Sequence, residues 1–230
     1  LESVKQGSTS SDQVPWMKEN CRIVLASSSP RRQEILRLWG LPFEVVSPKF
    51  AEDLDKSEYT PQGYVMANAR IKCAEVVMKL AHPRYPQPEY DDKVLIVIGA
   101  DTVVVRGDTI LEKPKDAAHA LAMLKHLQGR DHQVITGMAV SVAGAEPVAI
   151  FEETLVFFAE MKDEELKAYI ETGEPFDKAG GYGIQAVGCL LVTGIQGNYQ
   201  NVTCLSGLKA GAFEGPKGGS AVLVMDGSCK

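Results

Sequence analysis

Five stretches of this 230-residue chain carry side chains that their surroundings do not explain. In Leu25-Ala-Ser-Ser-Ser-Pro-Arg-Arg-Gln-Glu-Ile-Leu36 an apolar run gives way to three serines, Pro30 and two arginines. Ser29 suits an N-cap and Pro30 the first helical position, so Arg31 and Arg32 fall in the first turn of a helix. Cations there oppose the helix dipole by about 0.3–1 kcal/mol each. They make sense if an anion, above all a phosphate, binds among the free N–H groups and hydroxyls. In Ile96-Val-Ile-Gly-Ala-Asp-Thr-Val-Val-Val105 a single carboxylate, Asp101, interrupts an apolar strand. Burying it unpaired is expensive, so it must be paired, sit at a strand end, or bind a cation. Gly99 permits a bulge that would bring both Asp101 and Thr102 to one site. The acidic loop from Glu52 to Asp55 offers hard oxygen ligands of the kind Mg²⁺ takes alongside substrate phosphates. Finally, Lys113 follows a hairpin from Asp101, and Phe176 to Gln185 is glycine-rich, with an amide at Gln185 able to pair with a nucleobase edge. Together these groups suit a metal-bound nucleoside phosphate. No G-x-x-x-x-G-K-[ST] loop is present, and Gly181-x-Gly183-x-x-Ala186 lacks the strand-to-helix context of a dinucleotide site.

The elements that must position these residues follow from the patterning. Ile23–Leu25 reads as a strand, followed by a helix whose apolar face is Ile35, Leu36, Leu38 and Trp39 and which Gly40 closes. Phe43–Val46 is a second strand. Thr60 and Pro61 open a long helix to about Leu80, with Val65, Ala69, Lys72, Val76 and Leu80 at helical spacing. Val94–Val105, Thr109–Leu111, Gln133–Val142 and Val148–Phe158 are strands, and Tyr182–Val192 with Tyr199–Leu205 read as a final strand pair. Asp116 caps a helix ended by Gly129, and Asp163–Thr172 forms another. Residues 1–20 are polar and aperiodic, a flexible extension before one domain over 21–230. Residues 82–92 are a Pro-rich irregular loop, and 207–230 are Gly-rich, with a short strand at 221–225. This is an α/β (mixed α+β) pattern with a mixed sheet.

Composition excludes several classes. A net charge of −6 argues against general binding to nucleic acid or anionic membranes. No apolar run approaches the ~20 residues of a membrane span. The first residues lack a secretory plan, and five widely spaced cysteines fit a reducing, cytoplasmic setting.

The chain resembles the Maf family of nucleoside triphosphate pyrophosphatases. The matching segments are LASSSPRRQEIL (25–36), GLPFEVVSPKFAED (40–53), ARIKCAE (69–75), GADTVV (99–104), LEKP (111–114), ITGMAV (135–140), YIETGEPFDKAGGYGIQ (169–185) and GNYQNVTCL (197–205). The resemblance implies a two-lobed, ITPase-like mixed fold with a central substrate cleft. It implies cleavage between the α- and β-phosphates, a divalent metal such as Mg²⁺, Mn²⁺ or Co²⁺, and often a homodimer. Carried over, Asp101 is the proton acceptor, Glu52 and Asp101 hold the metal, and Arg31, Arg32, Lys72 and Lys113 hold the triphosphate. Arg31, Thr102 and Gln185 match positions linked to base selectivity. The SPRR, GADT and DKAGGYGIQ segments are similar to the dTTP/UTP-cleaving subgroup, whereas the 7-methyl-GTP subgroup has Trp where Arg31 stands. The alternative is a non-catalytic, nucleotide-binding regulator of septum formation. Cys204 and Ser206 depart from the family's Gly and Pro, away from any catalytic position.

Overall fold

The computed structural model describes residues 17–85, 93–203, 205, 208–214 and 220–225. Its centre is a seven-stranded mixed sheet. The strands are β1 (Cys21–Ala26), β2 (Glu44–Val45), β3 (Val94–Arg106), β4 (Thr109–Leu111), β5 (Asp131–Val142), β6 (Val148–Phe158) and β7 (Val192–Gln196), in spatial order β2-β1-β3-β5-β6-β7 with β4 also on β3. β1 runs parallel to β2 and β3, while β3, β5, β6 and β7 are antiparallel neighbours. A separate hairpin pairs β8 (Leu208–Glu214) with β9 (Ser220–Met225), so the strand expected at 221–225 is the second arm of that hairpin.

β3 is the backbone of the architecture because it serves both ends of the molecule. β5 pairs with one of its edges from Ile96 to Val105. The other edge is shared: β1 covers Val94–Gly99 and β4 covers Val104–Arg106. Among the described residues, 100–103 have no strand partner on that side, which leaves a four-residue gap between β1 and β4.

Side-chain alternation along β3 sends Ile96, Ile98 and Ala100 to one face and Val97, Val103 and Val105 to the other. The first face is covered beside β1 by helix α1 (Pro30–Leu38), through Ile35 and Leu36. Further along, helices α3 (Ala117–Leu127) and α4 (Asp163–Glu171) pack on it around Val104. The second face carries the 21-residue helix α2 (Pro61–Ala81), whose Val65, Ala69, Cys73, Val76 and Leu80 are buried. Helix starts follow the capping residues: Thr60 Oγ1 accepts from Gly63 N, and Asp116 Oδ1 from His119 N.

Two glycines set the distance between α2 and the sheet. A Cβ on Gly99 would overlap the Ala69 carbonyl oxygen and lie 3.0 Å from Cys73 Cβ. A Cβ on Gly137, in the neighbouring strand, would overlap the Val65 carbonyl. Gly99 therefore does not make the expected bulge: β3 keeps its register with β5 through Asp101 and Thr102, and the glycine admits a helix backbone instead.

Other expectations are corrected. Leu38 is 84% exposed, since the buried stripe of α1 ends at Leu36. Residues 17–20 are helical and Met17 is buried beside Cys21, so ordered structure begins before residue 21; residues 1–16 lie outside the described residues. Of the Pro-rich insert, 82–85 form a turn and 86–92 lie outside the described residues. The Tyr182–Val192 strand is replaced by turns and short 3₁₀ segments, entered through Gly180 and Gly181 at φ of +70° and +74°. Tyr199–Val202 is a helical turn (α5), capped by Asn198, and not a strand.

Candidate active site

The gap in the edge of β3 opens into a cleft of about 630 Å³. Its walls are the β1–α1 turn with Ser27 to Arg32, the loop from Pro48 to Glu52, residues 101–103 of β3, Glu112 and Lys113 after β4, and Asp177 to Ala179. Asp101 and Thr102 lie on opposite faces of a regular strand, yet both line the cleft. No bulge is needed, because with no strand beside them both faces are reached from the open edge.

On the α2 side, Asp101 is 6% exposed, with one donor on each carboxylate oxygen. Its Oδ2 accepts from Asn68 Nδ2 at 2.8 Å and its Oδ1 from Lys72 Nζ at 2.7 Å. The same ammonium is 2.9 Å from Glu52 Oε2 and 3.5 Å from the Ala100 carbonyl, on the bare edge of β3. Lys72 thus joins the two predicted metal carboxylates, and it is buried in doing so. Expected as a triphosphate hook, it is committed instead to the acidic pair. Glu52 adopts φ of +58°, uncommon for a residue with a side chain. Tyr64, fully buried on α2, donates to Glu112 Oε1 at 2.7 Å and lies 3.4 Å from the Glu52 carbonyl. Burial and the Glu112 carboxylate push the Tyr64 phenol well up, so it remains a neutral donor. Lys56 closes the network on Glu112 Oε2 at 3.0 Å.

On the α1 side, Arg32 is buried, its guanidinium donating to Ser27 Oγ and Thr102 Oγ1, both at 3.1 Å. Thr102 Oγ1 is in turn 3.0 Å from Thr136 Oγ1. Ser29 occupies the N-cap position, but its hydroxyl makes no cap bond; its own N–H is accepted by Ser27 Oγ. The Ser29 side chain lines the cleft beside Arg31. Lys113 is exposed at the rim.

The third wall was only partly legible. The Arg31 guanidinium lies against Gly183, where a Cβ would overlap it. Tyr169 OH accepts from Gly183 N at 3.2 Å, and the Glu174 carboxylate gathers Tyr169 OH with the N–H groups of Val187 and Gly188. This frame brings Lys178, rather than Gln185, to the cleft. Gln185 is exposed on a turn and is not among the lining residues. Lys178 is buried, with its ammonium on the Glu174 carbonyl and the Asp177 carboxylate. The residues missed by sequence reasoning are therefore Asn68, Glu112, Asp177 and Lys178. Asn68 had a signal, since it stands four residues before Lys72 on one helix face.

The arrangement has two chemically distinct sides: paired carboxylates around Lys72, and cations at Arg31, Arg32 and Lys113. Two adjacent carboxylates suit a hard divalent cation that completes its shell with phosphate oxygens and water. A closed all-protein cage is not formed, since no group of three or more His, Cys, Asp or Glu able to hold a metal occurs among the described residues. No described helix is long and apolar enough to cross a membrane.

The family described as "Maf-like protein" matches residues 22–212. A human protein named "Probable bifunctional dTTP/UTP pyrophosphatase/methyltransferase protein" is 47% identical over 189 residues; the match covers 79% of this chain, which spans only 30% of the human one. The "dTTP/UTP pyrophosphatase" of Thermoanaerobacter sp. (strain X514) is 46% identical over 185 residues, 80% of this chain and 90% of that one. Among solved structures, the nucleoside-triphosphatase / dITP/XTP pyrophosphatase of Mycobacterium abscessus overlaps 61% of this chain and 75% of its own at 18% identity, with a TM-score of 0.34.

Proposed function

Because this chain belongs to the Maf family, we propose that it hydrolyses dTTP and UTP to the monophosphate and pyrophosphate. The observation that carries this reading is the division of one cleft between the Glu52–Lys72–Asp101 cluster and the Arg31, Arg32 and Lys113 wall. A triphosphate laid across the cleft presents its leaving pyrophosphate to the cations and its α-phosphorus to the carboxylates.

Asp101 accepts a proton from the attacking water. Its oxygens each hold one donor, from Asn68 and Lys72, which fixes the carboxylate without using all its lone pairs. The water oxygen bonds to the α-phosphorus as the bridge to the β-phosphate breaks, and pyrophosphate departs with that electron pair. Arg31, Arg32 and Lys113 hold the departing charge in place before the reaction begins, so little reorganisation accompanies the step. Lys72 keeps Glu52 and Asp101 together as charge moves. A divalent cation (Mg²⁺, Mn²⁺ or Co²⁺), held by Glu52 and Asp101, would neutralise phosphate oxygens and favour deprotonation of water. Arg31, in the first turn of α1, and Thr102, on β3, are the residues we assign to base selectivity; Gln185 would need the 182–186 turn to move inward to join them. We extend the proposal to a single two-lobed domain acting in the cytoplasm as a homodimer. The septum-formation regulator is not favoured, as every charged group the chemistry requires is present.

The test is a nucleotide panel with Mg²⁺ or Mn²⁺, following pyrophosphate and monophosphate. Wild type should release pyrophosphate from dTTP and UTP, and Asp101→Asn should lose turnover while still binding nucleotide. Release of inorganic phosphate instead, or near-normal turnover by Asp101→Asn, would overturn the reading.

A further inference from the structure

Helix α2 carries a polar stripe through an otherwise apolar face: Tyr64, Asn68, Lys72 and Glu75. The first three address Glu112, Asp101 and Glu52 directly. Glu75 touches none of these groups. Its two oxygens accept the backbone N–H groups of Lys49 and Phe50, at 2.7 and 2.9 Å. No Lys or Arg lies within ion-pair range of it among the described residues. Both oxygens of this carboxylate are thus given to consecutive peptide groups of a loop that reaches Glu52 two residues later.

That loop needs a restraint. Glu52 is left-handed, at φ of +58°, and such a residue persists only where its surroundings over-determine it. Its own side chain is 43% exposed, so burial does not hold it. Three contacts from α2 do. Lys72 holds the carboxylate, Tyr64 OH approaches the carbonyl, and Glu75 fixes the backbone upstream. The Tyr64 contact is long at 3.4 Å and the Lys72 contact is shared with Asp101, which leaves the Glu75 bonds as the two short restraints on the main chain.

We propose that Glu75 is a positioning residue for the reaction: it clamps residues 49 and 50 so that Glu52 keeps its left-handed conformation and delivers its carboxylate beside Asp101. Without the clamp the loop relaxes toward the extended region and the Glu52 carboxylate leaves the cleft. Cation affinity falls before the phosphate wall is affected. The proposal rests on the pyrophosphatase reading for its catalytic consequence, but its structural claim can be tested without turnover.

Glu75→Ala, Glu75→Gln and Glu75→Asp in the full chain separate the outcomes. Mn²⁺ binding to nucleotide-free protein is titrated by electron paramagnetic resonance, and amide hydrogen exchange is followed across residues 48–53. Removing groups that orient a metal ligand typically weakens metal binding about 10- to 100-fold. Glu75→Ala should therefore raise the Mn²⁺ dissociation constant at least tenfold and speed exchange at Lys49 and Phe50. Glu75→Gln, with one acceptor left, should fall between, and Glu75→Asp should recover part of the loss. In turnover assays the metal activation constant should rise by a similar factor, while metal-free nucleotide binding stays within about threefold. Should Glu75→Ala fail to fold, Glu75→Gln carries the same comparison. An unchanged Mn²⁺ constant in a folded variant overturns the clamp, even if melting temperature drops. Absence of wild-type turnover with normal Mn²⁺ binding would sink the pyrophosphatase reading and leave the clamp to be judged on binding and exchange.

Discussion

Lys72→Met removes an ammonium that two carboxylates share. The Asp101 contact is the costly one to lose, because the Lys72 and Asp101 side chains are only 5% and 9% exposed. Breaking a buried pair by deleting one partner typically costs about 3–5 kcal/mol, since the other charge stays buried. The Glu52 contact is half-exposed and adds less than about 1 kcal/mol. Asn68 still donates to Asp101, and the Met side chain refills the volume, so the lower end of the range applies: about 3 kcal/mol. For a chain of this size that is a fall of about 6–12 °C in Tm. Urea unfolding at pH 7.5, followed by circular dichroism, measures it. The decisive arm is Lys72→Met/Asp101→Asn. Removing both charges abolishes the buried orphan, so the double variant should regain at least about 2 kcal/mol over Lys72→Met, although both lack turnover. A Lys72→Met protein within 1 kcal/mol of wild type, or a double variant no more stable than the single, would refute the claim that this ammonium is held by a buried charge.

Two further outcomes follow from the core. Gly99→Ala places a methyl group on the Ala69 carbonyl, so α2 must lift from the sheet; unfolding should show a loss of about 1–3 kcal/mol, and turnover should drop by more than tenfold because Asn68 and Lys72 move with the helix, whereas unchanged turnover would contradict the shared placement. His132 is buried against Phe158 and Tyr182, and desolvation lowers its pKa from 6.5 to about 4. The unfolded chain then binds the proton that the folded one excludes, so stability rises from pH 4 to 6.5 and is flat above it, by up to about 3 kcal/mol; denaturation at intervals across that window should show the slope, and His132→Phe should lose it.

What the sequence made legible was whatever local patterning decides. Pro30 after Ser29, and Pro61 after Thr60, mark helix starts that the structure reproduces. The apolar run into Asp101 is one long strand, and the spacing of Val65, Ala69, Lys72, Val76 and Leu80 marks the buried face of α2. The failures come from contacts between distant segments. Nothing near Gly99 signals that a helix backbone rests on it, so local chemistry suggests a bulge. Ser29 has the right type for a cap, yet its hydroxyl makes no cap bond. Tyr182 to Val192 has strand-like composition, but the left-handed glycines before it and the Glu174 carboxylate turn it into a frame around Arg31. That frame decides that Lys178 faces the cleft and Gln185 does not. Glu112 and Asp177 are polar loop residues with no periodic context, so only tertiary structure selects them.

The four-residue gap on β3 bears on solubility as well as on chemistry. A bare strand edge is a template onto which another chain can add, and proteins usually shield such edges with charge, proline or a covering element. Here the bare stretch is bounded on both sides by strands already in place, β1 and β4, and spans only residues 100–103. An intruding strand would find too few partners to pair in register, and it would have to displace the ammonium of Lys72 and bring its own backbone against Asp101. The protein can therefore keep an open edge in the middle of its largest sheet without inviting self-association, and the charges that suit a nucleotide also discourage a peptide.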